Sequence, residues 1–150
     1  MSEENKAIAR KFMEDCWNHG DVGRMDAVVA KDCRYHDPVF PTLTRGLDSL
    51  KEHVETCRSG FPDLHFSLDD VIAERNEVVI HWTARGTHRA PFLGMPPTNR
   101  SATVSGTTIF KIDRAKIQEQ WSDWNLLSLL EQLGLATGPH AEAHVKQKAR

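Results

Sequence analysis

The chain has 150 residues, of which 39% are hydrophobic and 27% charged, and its formal net charge is −2. This length and composition predict one globular domain and exclude a wholly disordered or fibrous chain. No apolar run approaches the roughly 18 residues of a membrane span, and no basic stripe outside the last few residues favours a nucleic-acid partner. The N-terminus is unlike a secretory signal and the three cysteines lack CxxC spacing, so we expect a soluble cytoplasmic protein with reduced structural thiols.

Helices are predicted in the first part of the chain. Apolar residues recur every three to four positions before Asn18 and after Gly46, as they do along one face of an amphipathic helix. Glycines lie where both of these helices end, at Gly20 and Gly60. The predicted order is a helix over residues 2–17, a short helix over about 23–30, an irregular stretch over 34–41, and a third helix from Leu47 to about residue 60.

Strands are predicted in the rest of the chain, where short alternation and β-branched or aromatic residues replace the helical period. They cover residues 64–73, 78–83, 101–112 and 117–125, with a loop over 90–100, a short apolar helix over 126–133 and a polar tail over 136–150. Helices followed by consecutive strands are typical of the α+β class. We expect a curved antiparallel sheet over the helices with a pocket between the layers. Alternation leaves open whether His81 and Arg85 or Trp82 and Ala84 face that pocket.

Five short segments resemble those of the SnoaL-like polyketide cyclases. They are Trp17–Asp21, His36–Pro38, Phe61–Leu64, the loop formed by Gly86–His88 and Pro91–Thr98, and Lys116–Trp121 together with Leu126–Gly134. Each segment is short, but the five occur in the family's order, and the resemblance covers roughly residues 5 to 135. It implies a single domain over residues 1–135, with residues 136–150 as a polar tail.

The resemblance implies the nuclear transport factor 2-like fold, a cone of helices packed on a bent antiparallel sheet that encloses a pocket. It also implies a cofactor-independent chemistry, the intramolecular aldol cyclisation of a polyketide ester or a related isomerisation, usually in a homodimer or larger homo-oligomer. The expected partner is a small, largely apolar or polyketide-like ligand, with no nucleic acid and no membrane. Because such scaffolds host several functions, two alternatives stay open. One is a non-catalytic small-molecule-binding protein, and the other is an epoxide hydrolase or dehydratase in which Asp70, Arg85 or His65 would converge with Asp123.

The last predicted strand carries the candidate acid/base residue. Strict alternation places Glu119, Trp121, Asp123 and Asn125 on one face, with Asp123 against the apolar ring of Trp121. Desolvation raises the pKa of such a carboxyl, which can then remove and return a proton in an aldol closure. The competing interpretation is a solvated or ion-paired aspartate. The family usually carries its key aspartate within or directly after this tryptophan segment, whereas Ser122 stands there in this chain. Asn125 occupies a position where many relatives have aspartate. Its amide cannot act as a base but can donate a hydrogen bond to an oxyanion, so Asn125 is a candidate catalytic residue that assists Asp123.

Two histidines complete the predicted catalytic set. His36 and His88 are placed near the pocket, the latter at the start of the 89–100 loop, and either imidazole could polarise a substrate carbonyl or tie a loop to the backbone. The side chains predicted to line the pocket and bind substrate are Trp17, Phe40, Phe61, Phe92, Met95 and Trp121. His140 and His144 are four residues apart but lack a third ligand, so no metal site is predicted.

Overall fold

The computed structural model describes residues 2–40 and 45–138. The chain begins with α1 (Ser2–Lys11), which continues directly as a π-helical segment (Phe12–Asn18) and is followed by a 3₁₀ helix (Val22–Ala27). The remaining elements are β1 (Val29–His36), α2 (Leu47–Gly60), β2 (His65–Glu74), β3 (Glu77–Thr87), β4 (Ser101–Asp113), β5 (Lys116–Trp124) and α3 (Leu126–Gln132).

The largest departure from the predicted elements is β1. The short second helix ends at Ala27, and a strand occupies Val29–His36, where a helix end and an irregular stretch were predicted. That prediction was wrong because β1 pairs in parallel with β5, with Val29 opposite Ile117 and His36 opposite Trp121. Because this pairing joins segments that are far apart in the sequence, the short alternation at Cys33 and Tyr35 alone did not identify the strand.

The five strands form one open sheet in the order β1-β5-β4-β3-β2. Strands β2 to β5 are antiparallel neighbours, and β1 adds one parallel pair at the edge beside β5. The α+β class with N-terminal helices packed on a sheet is confirmed, and the sheet is mixed. Two edges remain, on β1 and β2, so the sheet does not close into a barrel.

The helices pack on one face of the sheet, which we call the inner face. On β3 the buried residues Trp82 and Ala84 belong to the inner face, and the exposed residues His81 and Arg85 point to the outer face. Full burial of one large apolar side chain contributes about 1.5–3 kcal/mol. The largest fully buried apolar side chains are Phe12, Met25, Leu50, Ile80, Phe110, Ile117 and Leu133.

The prediction that the three cysteines are reduced structural thiols is confirmed. Cys16, Cys33 and Cys57 are all buried and free, and burial raises the pKa of each thiol to about 12. In the two described ranges no helix is long and apolar enough to cross a membrane. Most of the predicted tail, with His140 and His144, lies outside the described residues.

Asn18 ties the end of the π-helical segment to β2. Its side-chain nitrogen donates to the Phe66 carbonyl (3.0 Å) and its side-chain oxygen accepts from the Phe66 N–H (2.7 Å). Asn18→Ala is expected to lower the free energy of unfolding by about 2 kcal/mol, because two partly buried backbone groups lose their partners. Asn18→Asp keeps the acceptor but places a negative oxygen beside the Phe66 carbonyl and the Glu14 carboxylate, so it should cost at least as much. Urea denaturation followed by circular dichroism measures both, and a loss below about 0.5 kcal/mol in either variant would contradict this role.

Candidate functional site

A cavity of about 120 Å³ lies between the inner face of the sheet, α2 and the loop after β3. An apolar cavity of roughly 150 Å³ holds a benzene ring, so this cavity accepts about one ring. Its polar wall groups include Tyr35, Asp37, His53, Thr108, Gln120 and Ser122. Its aromatic lining consists mainly of Trp17, Phe40, Phe61, Phe66, Trp82, Phe92 and Trp124.

On β5 the cavity is lined by Gln120, Ser122 and Trp124. The neighbouring residues Trp121 and Asp123 point to the outer face, and Asp123 is exposed. The expectation that Asp123 lies against an apolar cavity wall is therefore wrong. Trp121 is likewise absent from the cavity lining, which contradicts its predicted place there.

A β-bulge explains why alternation placed the wrong face of β5 inward. Ile117 is fully buried, so an uninterrupted alternation from Ile117 would turn Asp123 inward as well. The pairing of β4 with β5 shifts between Lys111 and Ile112, which leaves Gln118 as an extra residue on β5. One extra residue exchanges the two faces for the rest of the strand.

Asp37 supplies a carboxylate to the cavity. It directly follows β1, two residues after the buried Tyr35, and therefore turns to the same face. Its two oxygens accept from the Trp124 indole Nε1 (3.2 and 3.1 Å), and Oδ1 also accepts from the Val39 N–H (2.9 Å). Burial raises the pKa of Asp37 above its usual 3.8 in spite of these donors, and the negative charge of Asp123 adds to the effect.

His53 contributes a buried imidazole to the same wall. Its ring packs edge-on against Phe40 (centroids 4.6 Å apart) and stacks on Tyr35 (5.9 Å). Burial lowers the pKa of His53 to about 4. Its Nε2 lies 4.0 Å from the Cys57 Sγ, and its Nδ1 has no partner among the described residues. Since burial also raises the pKa of the Cys57 thiol, both groups are neutral near pH 7 and do not form a reactive thiolate pair.

Hydrogen bonds connect three side chains across the inner face. The Trp82 Nε1 donates to the Thr108 Oγ1 (3.0 Å), and that oxygen lies 2.8 Å from the Ser122 Oγ. Trp82 and Thr108 are buried, whereas Ser122 is only partly buried and borders the cavity. Gly106 makes room for this arrangement, because a Cβ at that position would overlap the Trp82 ring.

The predicted catalytic histidine His36 is directed away from the cavity. His36 borders the cavity opening, but its Nε2 lies 2.7 Å from the Glu119 Oε2 and its ring stacks on Trp121 at a centroid distance of 5.4 Å. Both partners belong to the outer face of β5. The structure therefore does not bring the His36 imidazole together with a substrate in the cavity.

His88 and Asn125 have structural contacts instead of a place at the cavity. The Nδ1 of His88 accepts from the Thr98 N–H (3.2 Å), and its ring stacks on Phe61 (centroids 5.3 Å apart). These contacts agree with the alternative interpretation of His88, in which the imidazole ties the loop to the backbone. The Asn125 side-chain oxygen accepts from the Ser128 N–H (3.0 Å) and caps α3. Neither residue lines the cavity.

Four of the predicted binding residues border the cavity, namely Trp17, Phe40, Phe61 and Phe92. Met95 does not border the cavity, although it forms a tight backbone pair with Phe92 in the loop (3.1 and 2.9 Å). That these four side chains bind a substrate stays a prediction.

The groups that an epoxide hydrolase or dehydratase would need do not converge. Asp70 pairs with His81 (3.3 Å), and both side chains are exposed on the outer face. Arg85 is exposed and borders the cavity, but its strand partner His65 is exposed, and His65, Asp70 and Asp123 do not line the cavity. The geometry therefore gives no support to this alternative.

Asp37 and His53 are among the site residues that were missed, although each lies in a recognisable pattern. Cys33, Tyr35 and Asp37 alternate, and this would have marked Asp37 as inward-facing if β1 had been predicted as a strand. His53 lies at helical spacing from Leu50, within the apolar stripe of α2. A polar residue inside an apolar stripe is a signal that can be found from sequence alone.

Comparisons with known proteins agree with this architecture. The family model described as SnoaL-like polyketide cyclase matches residues 7–133. TsrD from Streptomyces laurentii is 26% identical with a TM-score of 0.82, and the match covers 91% of this chain and 98% of that one. A protein from Acidithiobacillus ferrooxidans that is provisionally named a polyketide cyclase is 29% identical with a TM-score of 0.79, covering 91% of this chain and 99% of that one.

The solved structures also include AclR from Streptomyces galilaeus, which is provisionally named a hydroxylase. It is 22% identical with a TM-score of 0.78, covers 91% of this chain and 100% of its own, and shows a common fold alone. No curated protein sequence matches the chain significantly. These neighbours confirm the nuclear transport factor 2-like fold. Since the family model spans most of the sequence, the chain belongs to the SnoaL-like polyketide cyclase family.

Proposed function

We propose that the protein is a cofactor-independent acid/base enzyme that cyclises or isomerises a small, largely apolar carbonyl or ester substrate in this cavity. The observation that carries the proposal is the Asp37 carboxylate, which borders the aromatic cavity and has a raised pKa. A carboxyl group whose pKa is shifted toward neutral pH by burial is suited to take up and return a proton. The family supports a cyclase-type function.

The reaction requires one proton transfer from the substrate to Asp37 and one proton transfer from Asp37 back to the substrate. The Asp37 carboxylate takes a proton from the carbon next to the substrate carbonyl, and the electrons of that C–H bond shift to leave an enolate. In an aldol closure the enolate carbon then bonds to a second carbonyl carbon of the same molecule, and the new alkoxide takes the proton back from Asp37. In an isomerisation of a β,γ-unsaturated carbonyl substrate the enolate is conjugated with the second C=C bond, and Asp37 returns the proton to the γ carbon, which shifts that C=C bond into conjugation with the carbonyl.

The cavity wall supports such a substrate in two ways. Aromatic rings favour flat apolar ligands, and they exclude water from the carboxylate, which strengthens every electrostatic contact in the cavity. The His53 imidazole is neutral at pH 7, so this wall group adds no positive charge that would lower the pKa of Asp37. A cavity with neutral wall groups alone would instead favour the non-catalytic binding protein.

The proposal is tested with 2-indanone, a flat ketone in which one benzene ring, the size that this cavity accepts, is fused to a five-membered ring that carries the carbonyl. Proton NMR in D₂O measures the exchange of its α-hydrogens with and without the protein. We expect acceleration over buffer by about 10²-fold or more, the usual range for a positioned general base. Binding of 2-indanone without any acceleration would contradict the enzyme and favour the binding protein.

The same proposal includes a homodimer or larger homo-oligomer, which the family resemblance supports, and a cytoplasmic location, which the free buried cysteines favour. Sedimentation velocity at micromolar concentration tests the assembly, and a monomer at all concentrations would contradict it.

A further inference from the structure

We propose that Ser122 donates the hydrogen bond that binds the substrate's carbonyl oxygen, in an orientation set by Trp82 and Thr108. The role of Ser122 in holding the enolate rests on the proposed function. Its role in binding a ketone rests on the cavity alone. Trp82 and Thr108 act through Ser122 and are therefore positioning residues.

The direction of the hydrogen-bond chain follows from the burial of Thr108. The Thr108 hydroxyl is buried and accepts from the Trp82 indole, and the Ser122 Oγ is its other partner among the described residues. If Ser122 donated to Thr108, the Thr108 proton would be buried without an acceptor, which costs about 1–3 kcal/mol. Thr108 therefore donates to Ser122, and the chain runs from Trp82 through Thr108 to Ser122.

The proton of Ser122 is then free for a ligand. Its hydroxyl has no other partner in the described part of the chain, and the side chain borders the cavity. A hydroxyl that ends a chain of aligned hydrogen bonds is polarised by that chain and becomes a better donor. The complementary ligand atom is an acceptor such as a carbonyl oxygen, and a hydrocarbon gains nothing from it.

Ser122 is also well placed relative to the base. Ser122 and Trp124 are consecutive inward positions on β5, about 7 Å apart along a strand, and the Trp124 indole holds the Asp37 carboxylate. A ketone between them can offer its oxygen to Ser122 and its α-hydrogen to Asp37. Both donors, Trp82 and Trp124, lie opposite Gly106 in the neighbouring strands. A Cβ at Gly106 would overlap the Trp82 ring.

The proton stays on Ser122 throughout the reaction step. Asp37 takes the α-hydrogen as a proton, the C–H electrons form the new C=C bond, and the carbonyl π electrons move to the oxygen. Ser122 hydrogen-bonds that oxygen in the ketone and more strongly in the enolate, because a donor binds a negative oxygen more tightly than a neutral one. Its effect should therefore be larger on the rate than on binding.

The test compares two probes of nearly equal shape, 2-indanone and indane, which lacks the oxygen. Ser122→Ala should weaken 2-indanone binding by about 10-fold and leave indane binding within about twofold, and the exchange rate of bound 2-indanone should fall by about 10²-fold. The matched control is Ser105→Ala, on the exposed outer face of β4. It should change neither the affinity for either probe nor the exchange rate of bound 2-indanone. Equal weakening of both probes by Ser122→Ala would show a packing defect and overturn the proposal.

Thr108→Val tests the orientation separately, because valine keeps the shape of threonine and removes the hydroxyl. We expect the preference for 2-indanone over indane to fall by about threefold to fivefold, since Ser122 then loses the donor that directs its proton. Thr107→Val, on the outer face, is the control. An unchanged preference in Thr108→Val would refute the positioning role. If the wild type binds 2-indanone selectively but exchanges no hydrogen, the proposed enzyme fails while the assignment of Ser122 as the carbonyl donor stands.

Discussion

Asp37→Asn is expected to reduce the protein-catalysed exchange of 2-indanone by about 10²- to 10⁴-fold, the contribution of a positioned base. The amide has almost the size of the carboxylate and retains an oxygen that accepts from the Trp124 indole and the Val39 N–H. It cannot take up a proton. The loss should therefore appear in the rate of the bound ketone, with 2-indanone affinity changed by less than about threefold.

The same substitution is expected to stabilise the fold near pH 7. Burial raises the pKa of Asp37, so the folded protein favours its protonated form. The stability that this group contributes is present below its unfolded pKa of 3.8 and is lost as the pH rises through the higher folded value. Asn carries no such cost, so the midpoint of thermal unfolding of Asp37→Asn should be higher than that of the wild type at pH 7, and the difference should shrink toward pH 4.

Asp123→Asn is the matched control for Asp37→Asn. It makes the same chemical change on the exposed outer face of β5, at the position that strict alternation selects as the acid/base residue. We expect exchange to change by less than about twofold, since the Asp123 charge acts on Asp37 only at a distance and is screened by salt. Loss of exchange in Asp123→Asn, with exchange retained in Asp37→Asn, would reverse the assignment of the base.

Two errors in the predicted site, the inward placement of Asp123 and the omission of Asp37, have a common physical cause. Helices and antiparallel strands were predictable because their periodicities are local, and the inward residues of β3 follow the expected alternation. The bulge at Gln118 and the parallel pairing of β1 with β5 are set by contacts between distant segments. Because the bulge was not predicted, Asp123 was placed on the inner face. Because the parallel pairing was not predicted, Asp37 was left in a segment predicted to be irregular.

The polar groups of the cavity show what else alternation leaves undecided. The aromatic lining was predictable in part, since Trp17, Phe40 and Phe61 come from segments rich in apolar residues. The bond between Trp124 and Asp37 was not, because it joins the end of β5 to the residue after β1. The proposed function depends on this long-range polar pair, whereas the fold depends on the apolar pattern.

His53 is expected to make the fold sensitive to acid. Its pKa falls from 6.5 to about 4 because burial among aromatic rings removes water from the imidazole. The stability that this group contributes is complete above the unfolded pKa of 6.5 and is lost as the pH falls toward 4, because only the unfolded chain readily takes the proton there. A shift of this size corresponds to about 3 kcal/mol.

His53→Phe removes the titrating group and keeps an aromatic ring of similar size against Phe40 and Tyr35. The fall in unfolding free energy between pH 7 and pH 4, measured by urea denaturation, should be about 3 kcal/mol smaller in this variant than in the wild type. His65→Phe, which replaces an exposed imidazole at the start of β2, should retain the full fall. Equal falls in the wild type and His53→Phe would mean that water reaches the imidazole. The cavity wall beside Asp37 would then be wet, and the raised pKa on which the proposed base depends would lose its physical cause.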